Sequence, residues 1–231
     1  MQTNPVTVEL LRTFPLLNSL SPQQLEELTL FTELKHLNRR AIIYETDQPS
    51  DKLFFLFEGR LQGIDFTIDG REVGLFFVEK GGYCGELALF DQQAYPETLI
   101  TTVKSTVISV NIQKMRELAF NTPILMSELG ERLAGKVRLL NNQRRLLAIG
   151  DIPQRVCAQL VLLAKDSSVN SISHPPTHQE IAIMLNTSRE TVTRIFQRLS
   201  TKQLIDKDGA QTLIIKDISA LQRIANGELP L

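Results

Sequence analysis

Two arginines and a glutamate, Arg189, Glu190 and Arg194, fall on one face of a predicted helix in a spacing that suits the reading of DNA bases. The opposite face of this helix is apolar and consists of Val192, Ile195, Phe196 and Leu199. The fork of an arginine side chain matches O6 and N7 of guanine, and a carboxylate accepts a hydrogen bond from the amino group of cytosine. Because a helix that only bound phosphates would have no use for Glu190, this face predicts contact with base edges. The pattern alone also fits an amphipathic helix with a solvated charged face.

Capping residues predict where this helix and the helix before it begin. Thr177 and Glu180 form a capping box, in which each side chain bonds the backbone N–H of the other residue. Ser188 caps the second helix, and the pair Asn186-Thr187 supplies the turn between the two. Two helices joined by such a turn predict a helix-turn-helix, which places its second helix in the major groove. The pair Asp208-Gly209 further along predicts the tip of a short hairpin.

The region from about Ala41 to Ile112 has the pattern of an antiparallel β-domain. Short runs rich in β-forming residues, such as Leu53 to Phe57, are separated by turn signals. These turn signals are Glu58-Gly59, Asp69-Gly70 and Gly81-Gly82. Many short strands at this spacing predict a sandwich or barrel, here a jelly roll. Before this region, Ser21-Pro22 predicts the start of a helix from Pro22 to Leu30.

A long helix is predicted over residues 121–149. Its apolar residues at alternating four- and three-residue intervals are Met126, Leu133, Val137, Leu140 and Leu147. This repeat is the seam of a coiled coil, and it predicts a parallel pair of helices between two subunits. Gly130 and Arg144 interrupt the seam, and a core helix of a monomer is the alternative. Leu125 and Leu129 lie on a neighbouring face, which is expected to pack on the β-domain.

The composition is that of an ordinary globular protein, with 42% hydrophobic and 22% charged residues. The net charge of −1 does not indicate a nucleic-acid partner, although a DNA reader can carry its positive charge on one helix. Cys84 and Cys157 are isolated, which argues against disulfides and against zinc or iron–sulfur sites. Since no leader and no membrane-spanning run is recognised, a cytoplasmic protein is expected. No nucleophile has a base at useful spacing, so no enzymatic activity is expected.

The segment from Ser188 to Arg194, Ser-Arg-Glu-Thr-Val-Thr-Arg, closely resembles the recognition helix of the cyclic-AMP receptor protein and fumarate-nitrate regulator family of bacterial transcription regulators. Thr177 to Ala182 resembles the preceding helix of that motif, and Gly85 to Phe90 resembles the start of the family's phosphate-binding cassette. The likeness extends over about residues 14–215. It implies an α+β fold with a β jelly-roll, cyclic-nucleotide-binding-like sensor domain, a long dimerisation helix and a C-terminal winged helix-turn-helix.

The chain is accordingly divided into three predicted segments. Residues 1–120 are assigned to the sensor domain, 121–150 to the dimerisation helix and hinge, and 151–231 to the DNA-binding domain. The hinge is placed at Gly150-Asp151-Ile152-Pro153, because glycine and proline both interrupt helices.

The resemblance also implies the roles of single residues at the DNA interface. Arg189, Glu190 and Arg194 would read bases in a half-site similar to TGTGA, with TCACA inverted opposite. The implied phosphate contacts are Thr177, Gln179 and Thr191, and the DNA-binding set is completed by Ser188 and Arg198. The implied partners are double-stranded DNA, a second copy of this chain and RNA polymerase, with no membrane.

An effector pocket in the sensor domain follows from the same resemblance. Its residues are expected to be Cys84, Gly85, Glu86, Leu87, Glu97, Thr98, Leu140 and Asn141. The family's pocket neutralises the cyclic phosphate with an arginine-serine pair, where this chain has Pro96-Glu97. Losing a charge-assisted hydrogen bond costs about 1.5–3 kcal/mol, and a carboxylate about 4 Å from the phosphate adds about 1–4 kcal/mol. Control by cyclic AMP is therefore not expected.

The identity of the effector stays open at this point. Haem is an alternative, for which His36 and Cys84 are the available ligands in the sensor domain. His36 is expected on the surface before the barrel, and Cys84 is expected to be a small buried residue. His174 and His178 belong to the DNA-binding domain, where no sensing role is predicted. The competing function is a ligand-binding or protein-interaction module that keeps this fold without regulating DNA.

Overall fold

The structure is a computed structural model of the chain, and it describes residues 6–68, 70, 72–164, 170–173, 175–209 and 212–231. The contacts divide the chain into two compact units, residues 1–135 and 136–231. Each unit has a hydrophobic core of its own. The predicted segment 121–150 therefore belongs in part to each unit, and His174 lies outside the described residues.

The first unit is built around two four-stranded antiparallel sheets. Their strands are β1 (Thr32–Leu37), β2 (Ile42–Tyr44), β3 (Lys52–Glu58), β4 (Leu61–Phe66), β5 (Glu72–Val78), β6 (Tyr83–Cys84), β7 (Thr98–Thr101) and β8 (Ser105–Asn111). One sheet has the order β1-β8-β3-β6, and the other has the order β2-β7-β4-β5. Apart from the consecutive pair β4 and β5, neighbouring strands come from distant parts of the chain, which is the arrangement of a jelly roll and confirms the predicted fold.

Helices before, between and after the strands complete the first unit. They are α1 (Val8–Leu11), a 3-10 turn (Pro15–Leu17), α2 (Pro22–Thr29), α3 (Ala88–Asp91), α4 (Ile112–Asn121) and the first half of α5 (Pro123–Leu147). α2 begins where the sequence predicts, because Ser21 and Gln24 form a capping box. α4 is not among the predicted elements, although its N-cap Asn111 accepts hydrogen bonds from the next turn as a capping residue should.

The core of the jelly roll extends to the first half of α5. Leu125 and Leu129 are fully buried in the same cluster as Leu53 and Phe55 of β3, which confirms that they face the β-domain. Met126, a predicted seam residue, packs against that cluster at partial exposure. Full burial of a leucine side chain contributes about 1.5–3 kcal/mol, so this packing holds the start of α5 on the first unit.

The first strand lies before the predicted β-region, which begins at Ala41. His36 belongs to this strand, β1, with its Nδ1 3.0 Å from Oγ1 of Thr106 on β8, so its predicted place before the barrel is wrong. It is an exposed residue, as expected. β1 is an edge strand of its sheet and contains no fully buried residue. Because an edge strand of this kind has no regular apolar alternation, its sequence gives no strand signal.

The second unit combines the end of α5 with further helices and a small sheet. The helices are α6 (Ile152–Ala164), α7 (His178–Met184), α8 (Arg189–Thr201) and α9 (Ile218–Ala225). The strands β9 (Ser171–Ser173), β10 (Ile205–Asp208) and β11 (Thr212–Ile215) form an antiparallel sheet of order β10-β11-β9. α7 and α8 followed by the β10–β11 hairpin make a winged helix-turn-helix. None of the helices in the described ranges is long and apolar enough to cross a bilayer.

The second half of α5 exposes residues of the predicted seam. Val137, Leu140 and Leu147 have relative exposures of 57%, 61% and 45%. Leu139, one position away from the seam, is 45% exposed. Leu146, in contrast, is buried in the core of the second unit. A row of large apolar side chains that a chain leaves uncovered is typical of a surface that another protein covers.

Candidate DNA interface and effector pocket

α7 begins at a pair of reciprocal hydrogen bonds. Oγ1 of Thr177 accepts from the backbone N–H of Glu180 at 3.2 Å, and Oε2 of Glu180 accepts from the backbone N–H of Thr177 at 2.7 Å. This is the predicted capping box. Ile181 and Leu185 are buried in the core of the second unit. Thr177 and Gln179, two of the predicted phosphate contacts, remain exposed.

The turn between α7 and α8 contains a residue in the left-handed backbone conformation and accepts a hydrogen bond from an arginine. Asn186 has φ of +48°, a conformation that asparagine tolerates better than most residues. Arg155 of α6 donates from Nη1 to the carbonyl oxygen of Leu185 at 2.7 Å and from Nε to the carbonyl oxygen of Ile149 at 3.1 Å. Arg155 therefore positions the turn, and with it the start of α8.

α8 buries its apolar face and exposes its charged residues. Oγ of Ser188 accepts from the backbone N–H of Thr191 at 3.1 Å, so Ser188 is the predicted N-cap. The residues buried in the core are Val192, Ile195, Phe196 and Leu199. Arg189, Glu190 and Arg194 are all exposed. The structure thus brings the three predicted base-reading residues together at the start of a helix that is anchored on its other side.

Two other predicted DNA-binding residues have partners within the second unit. Oγ1 of Thr191 lies 2.9 Å from Oγ of Ser188. Nη2 of Arg198 donates to the carbonyl oxygen of Leu231, and Nζ of Lys202 donates to that of Pro230 at 3.4 Å. Arg198 is exposed, and its remaining N–H groups can donate to DNA while Nη2 keeps its bond to Leu231.

His178, for which the sequence predicts no sensing role, contacts α8. Its Nδ1 lies 3.0 Å from Oγ1 of Thr193 on α8, and its ring centroid lies 4.5 Å from that of Phe196. Burial lowers the pKa of His178, and the positive charges of Lys207 and Arg189 lower it further. His178 is therefore neutral at neutral pH, and it bridges the two helices of the motif.

Part of the predicted effector pocket comes together around the hydroxyl group of Tyr44. This hydroxyl donates to Oε1 of Glu97 at 2.7 Å and also interacts with Cys84. The ring of Tyr44 stacks on that of Tyr95 with centroids 3.8 Å apart. Glu97 is only 9% exposed, and the other three residues are buried more deeply. Burial, with the nearby Cys84 and Glu97, raises the pKa of Tyr44, so its hydroxyl stays protonated and donates.

The other predicted pocket residues differ in exposure. Gly85 has φ of +88°, and a Cβ there would lie 3.0 Å from the carbonyl oxygen of Lys52, so this position requires glycine. Glu86 is buried and Leu87 is exposed. Oγ1 of Thr98 accepts from the backbone N–H of Thr46 at 3.1 Å. Leu140 and Asn141 lie on α5 in the second unit, where both are exposed.

Haem ligation by the pair His36 and Cys84 does not fit the sheet topology. His36 lies on β1 and Cys84 on β6, which are the two edges of one sheet with β8 and β3 between them. Since neighbouring strands are about 4.8 Å apart, these two residues are roughly 14 Å apart across the sheet, too far to bind one iron. Within the described residues, no group of three or more metal-ligating side chains is found.

Two family models match this chain. One, described as a cyclic nucleotide-binding domain, matches residues 34–122. The other, described as a Crp-like helix-turn-helix domain, matches residues 154–224. Together they match more than half of the chain, in the order in which the jelly roll and the helix-turn-helix occur.

Relatives of known function and solved structures agree with these matches. A CRP-like cAMP-activated global transcriptional regulator of Mycobacterium tuberculosis is 25% identical over 222 residues, which are 94% of this chain and 99% of that protein. The cAMP-activated global transcriptional regulator CRP of Pasteurella multocida is 27% identical over 183 residues, 76% of this chain and 86% of that protein. A CooA mutant from Carboxydothermus hydrogenoformans has a TM-score of 0.71 at 19% identity and 97% coverage of both chains. FixK2 from Bradyrhizobium japonicum has a TM-score of 0.66 at 18% identity, covering 84% of this chain and 96% of that chain.

The solved structures show the same fold. The two family models describe a cyclic nucleotide-binding domain and a Crp-like helix-turn-helix, and the relatives are transcription regulators. The chain therefore belongs to the CRP/FNR family of DNA-binding transcription regulators.

Proposed function

We propose that this regulator is a homodimer that reads an inverted repeat of TGTGA-like half-sites through α8. The observation that carries the proposal is the exposure of Arg189, Glu190 and Arg194 on a helix whose cap and apolar face are held within the second unit. The two arginines pair with guanines, and Glu190 accepts from the cytosine opposite one of them. Such contacts discriminate between bases only when the side chains are held on a rigid element, as they are here.

Selection from a library of random duplexes tests this readout. We expect the enriched sequences to contain TGTGA and an inverted TCACA, with centres about one helical turn, roughly 34 Å, apart. This spacing is expected because two recognition helices related by a two-fold axis enter successive major grooves on one side of the DNA. Enrichment of an unrelated motif, or no enrichment, would show that the assigned base contacts are wrong.

Single substitutions on α8 separate base reading from general attraction to DNA. Arg189→Ala and Arg194→Ala are each expected to weaken the selected site by about tenfold or more, because a bidentate arginine–guanine contact is worth about 1–3 kcal/mol. Glu190→Ala should instead relax the choice of base at one position, since removing an anion also removes repulsion from phosphates. Fluorescence anisotropy with the selected duplex and a scrambled duplex measures both effects.

Two control variants accompany these measurements. Arg223→Ala removes one exposed positive charge from α9 in the same unit, and it should change neither affinity by more than about twofold, since one remote charge has a weak effect. Gln179→Ala, at a proposed phosphate contact, should weaken both duplexes alike. If Arg223→Ala lowers the affinity for the selected site as much as Arg189→Ala does, net charge rather than base reading accounts for the loss.

The homodimer in this proposal is supported by the exposed apolar side of α5. Val137, Leu140 and Leu147 continue the four- and three-residue spacing that brings apolar residues onto one stripe of a helix. A parallel pair of such helices covers the stripe on both subunits and generates the two-fold axis that an inverted repeat requires.

The effector in this proposal is not cyclic AMP. Glu97, at the position where the family neutralises the cyclic phosphate, is a buried carboxylate in contact with Tyr44. A carboxylate in that place repels a phosphate, and no arginine occurs between Arg71 and Arg116 to offset it.

A further inference from the structure

His178 lies among the side chains that carry the proposed DNA contacts. Its ring contacts Thr193 and Phe196 of α8, the helix that carries Arg189 and Arg194. It directly follows Thr177 and precedes Gln179, both exposed. His178 itself is half-buried, so its ring is neither enclosed in the core nor free in solvent.

The hydrogen bonds around Thr193 determine which nitrogen of His178 carries its proton. The Thr193 hydroxyl donates to the carbonyl oxygen of Arg189 at 2.9 Å, which commits its only hydrogen. The bond between Thr193 and Nδ1 of His178, at 3.0 Å, must then be donated by the histidine. Neutral His178 therefore has its proton on Nδ1, and Nε2 is the site where a second proton binds. That second proton leaves the bond to Thr193 intact.

The charged groups near this ring are mainly positive. Arg189 of α8 and Lys207 of β10 both disfavour protonation of His178. The carboxylates of the same elements have other partners or are exposed: Glu180 accepts from Thr177 at 2.7 Å, Asp206 pairs with Lys216 at 2.7 Å, and Glu190 and Asp208 are exposed. In the free protein the charges that act on the His178 ring are therefore those of Arg189 and Lys207.

We propose that His178 contacts a DNA phosphate through Nε2 and takes up one proton from solvent when DNA binds, an inference that rests on the proposed function. A phosphate placed between Arg189, Lys207 and the histidine ring reverses the local charge, and a negative neighbour favours protonated histidine. Nε2 then becomes a charged donor to the phosphate, while Nδ1 keeps its bond to Thr193. Because the complex holds more protons than the free subunit, affinity rises as the pH falls.

Binding measured across pH tests this proposal. The probes are a labelled duplex with the TGTGA and TCACA inverted repeat and a scrambled duplex of equal length, titrated by anisotropy at constant salt. For the wild-type protein, the affinity for DNA should rise by about tenfold or more between about pH 8 and about pH 6. This is expected because uptake of one proton on binding changes the affinity by up to about tenfold per pH unit. His178→Asn should remove this dependence and leave a pH-independent affinity that is about tenfold or more below that of the wild-type protein at about pH 6. The asparagine amide can still donate to Thr193 but does not titrate.

The chain offers two matched controls and a second measurement. His36→Asn and His174→Asn change the other two histidines and should leave the pH dependence as in the wild type. Histidine NMR of the wild-type protein should show the pKa of His178 rising when the duplex is added, which tests the proposal even if His178→Asn folds poorly. A pH-independent wild-type affinity, or a His178 pKa that DNA leaves unchanged, overturns the proton uptake while the proposed function stands. Failure to bind either duplex at any pH overturns both.

Discussion

Leu140→Asp is expected to convert the protein from a dimer to a monomer and to lower its affinity for the inverted repeat by about 100- to 10,000-fold. Linking two DNA-binding modules raises the affinity by a factor in this range, and the monomer loses that gain. Leu140 is 61% exposed in the single chain, so aspartate at this position is solvated in the monomer and leaves the subunit folded. In the dimer the seam would bury two carboxylates against apolar side chains, which is strongly unfavourable. Light scattering measures the mass, and anisotropy measures the DNA affinity.

Leu139→Asp is the matched control for this prediction. Leu139 is also an exposed leucine of α5, but it lies one position away from the seam. Its replacement should leave the dimer mass unchanged and the DNA affinity close to that of the wild type. Leu133→Asp should also give a monomer, but Leu133 is half-buried, so its effect includes a change in the stability of the subunit. If the wild-type protein is monomeric at micromolar concentration, or if Leu139→Asp is monomeric, the prediction that two subunits pair through the seam of α5 is wrong.

Local signals in the sequence predict the helix-turn-helix almost completely. The capping box at Thr177 and the cap at Ser188 involve residues three positions apart, so the chain shows them before it folds. The apolar face of α8 repeats at helical spacing, and all of its predicted core residues are buried. The start of α2 at Ser21 is found in the same way. These elements are predictable because both partners of each interaction lie within one turn of helix.

Contacts between distant residues account for most of what the sequence does not predict. Tyr44 at the end of β2 and Glu97 directly before β7 are joined by a hydrogen bond, and no motif links them in the chain. His178 and Thr193 lie on different helices, so the tautomer of His178 follows only from the folded arrangement. β1 is missed for another reason, since as an edge strand it buries too few side chains to show an apolar pattern.

Cyclic AMP is expected to bind no tighter than the high-micromolar range, about a thousandfold more weakly than to a pocket that has the arginine-serine pair. The two causes are the missing arginine, worth about 1.5–3 kcal/mol, and the carboxylate of Glu97, worth about 1–4 kcal/mol. Together these two costs correspond to at least about sixtyfold in affinity, and to a thousandfold at about 4 kcal/mol, which lies within the combined range. Isothermal titration calorimetry of the purified protein measures the constant directly. A sub-micromolar constant would place the phosphate elsewhere, beside a lysine such as Lys80 or Lys104.

Glu97→Gln separates these two causes. Glutamine keeps an oxygen that accepts from the Tyr44 hydroxyl, so the bond seen at 2.7 Å can persist while the negative charge is lost. Cyclic AMP should then bind about fivefold more tightly or better, because removing repulsion of about 1 kcal/mol or more corresponds to that factor. Tyr44→Phe is the control, since it removes the hydroxyl that bonds Glu97 and leaves the carboxylate in place. If Glu97→Gln and Tyr44→Phe change cyclic AMP binding equally, the charge of Glu97 is not what excludes the nucleotide, and the shape of the stacked Tyr44 and Tyr95 rings becomes the explanation.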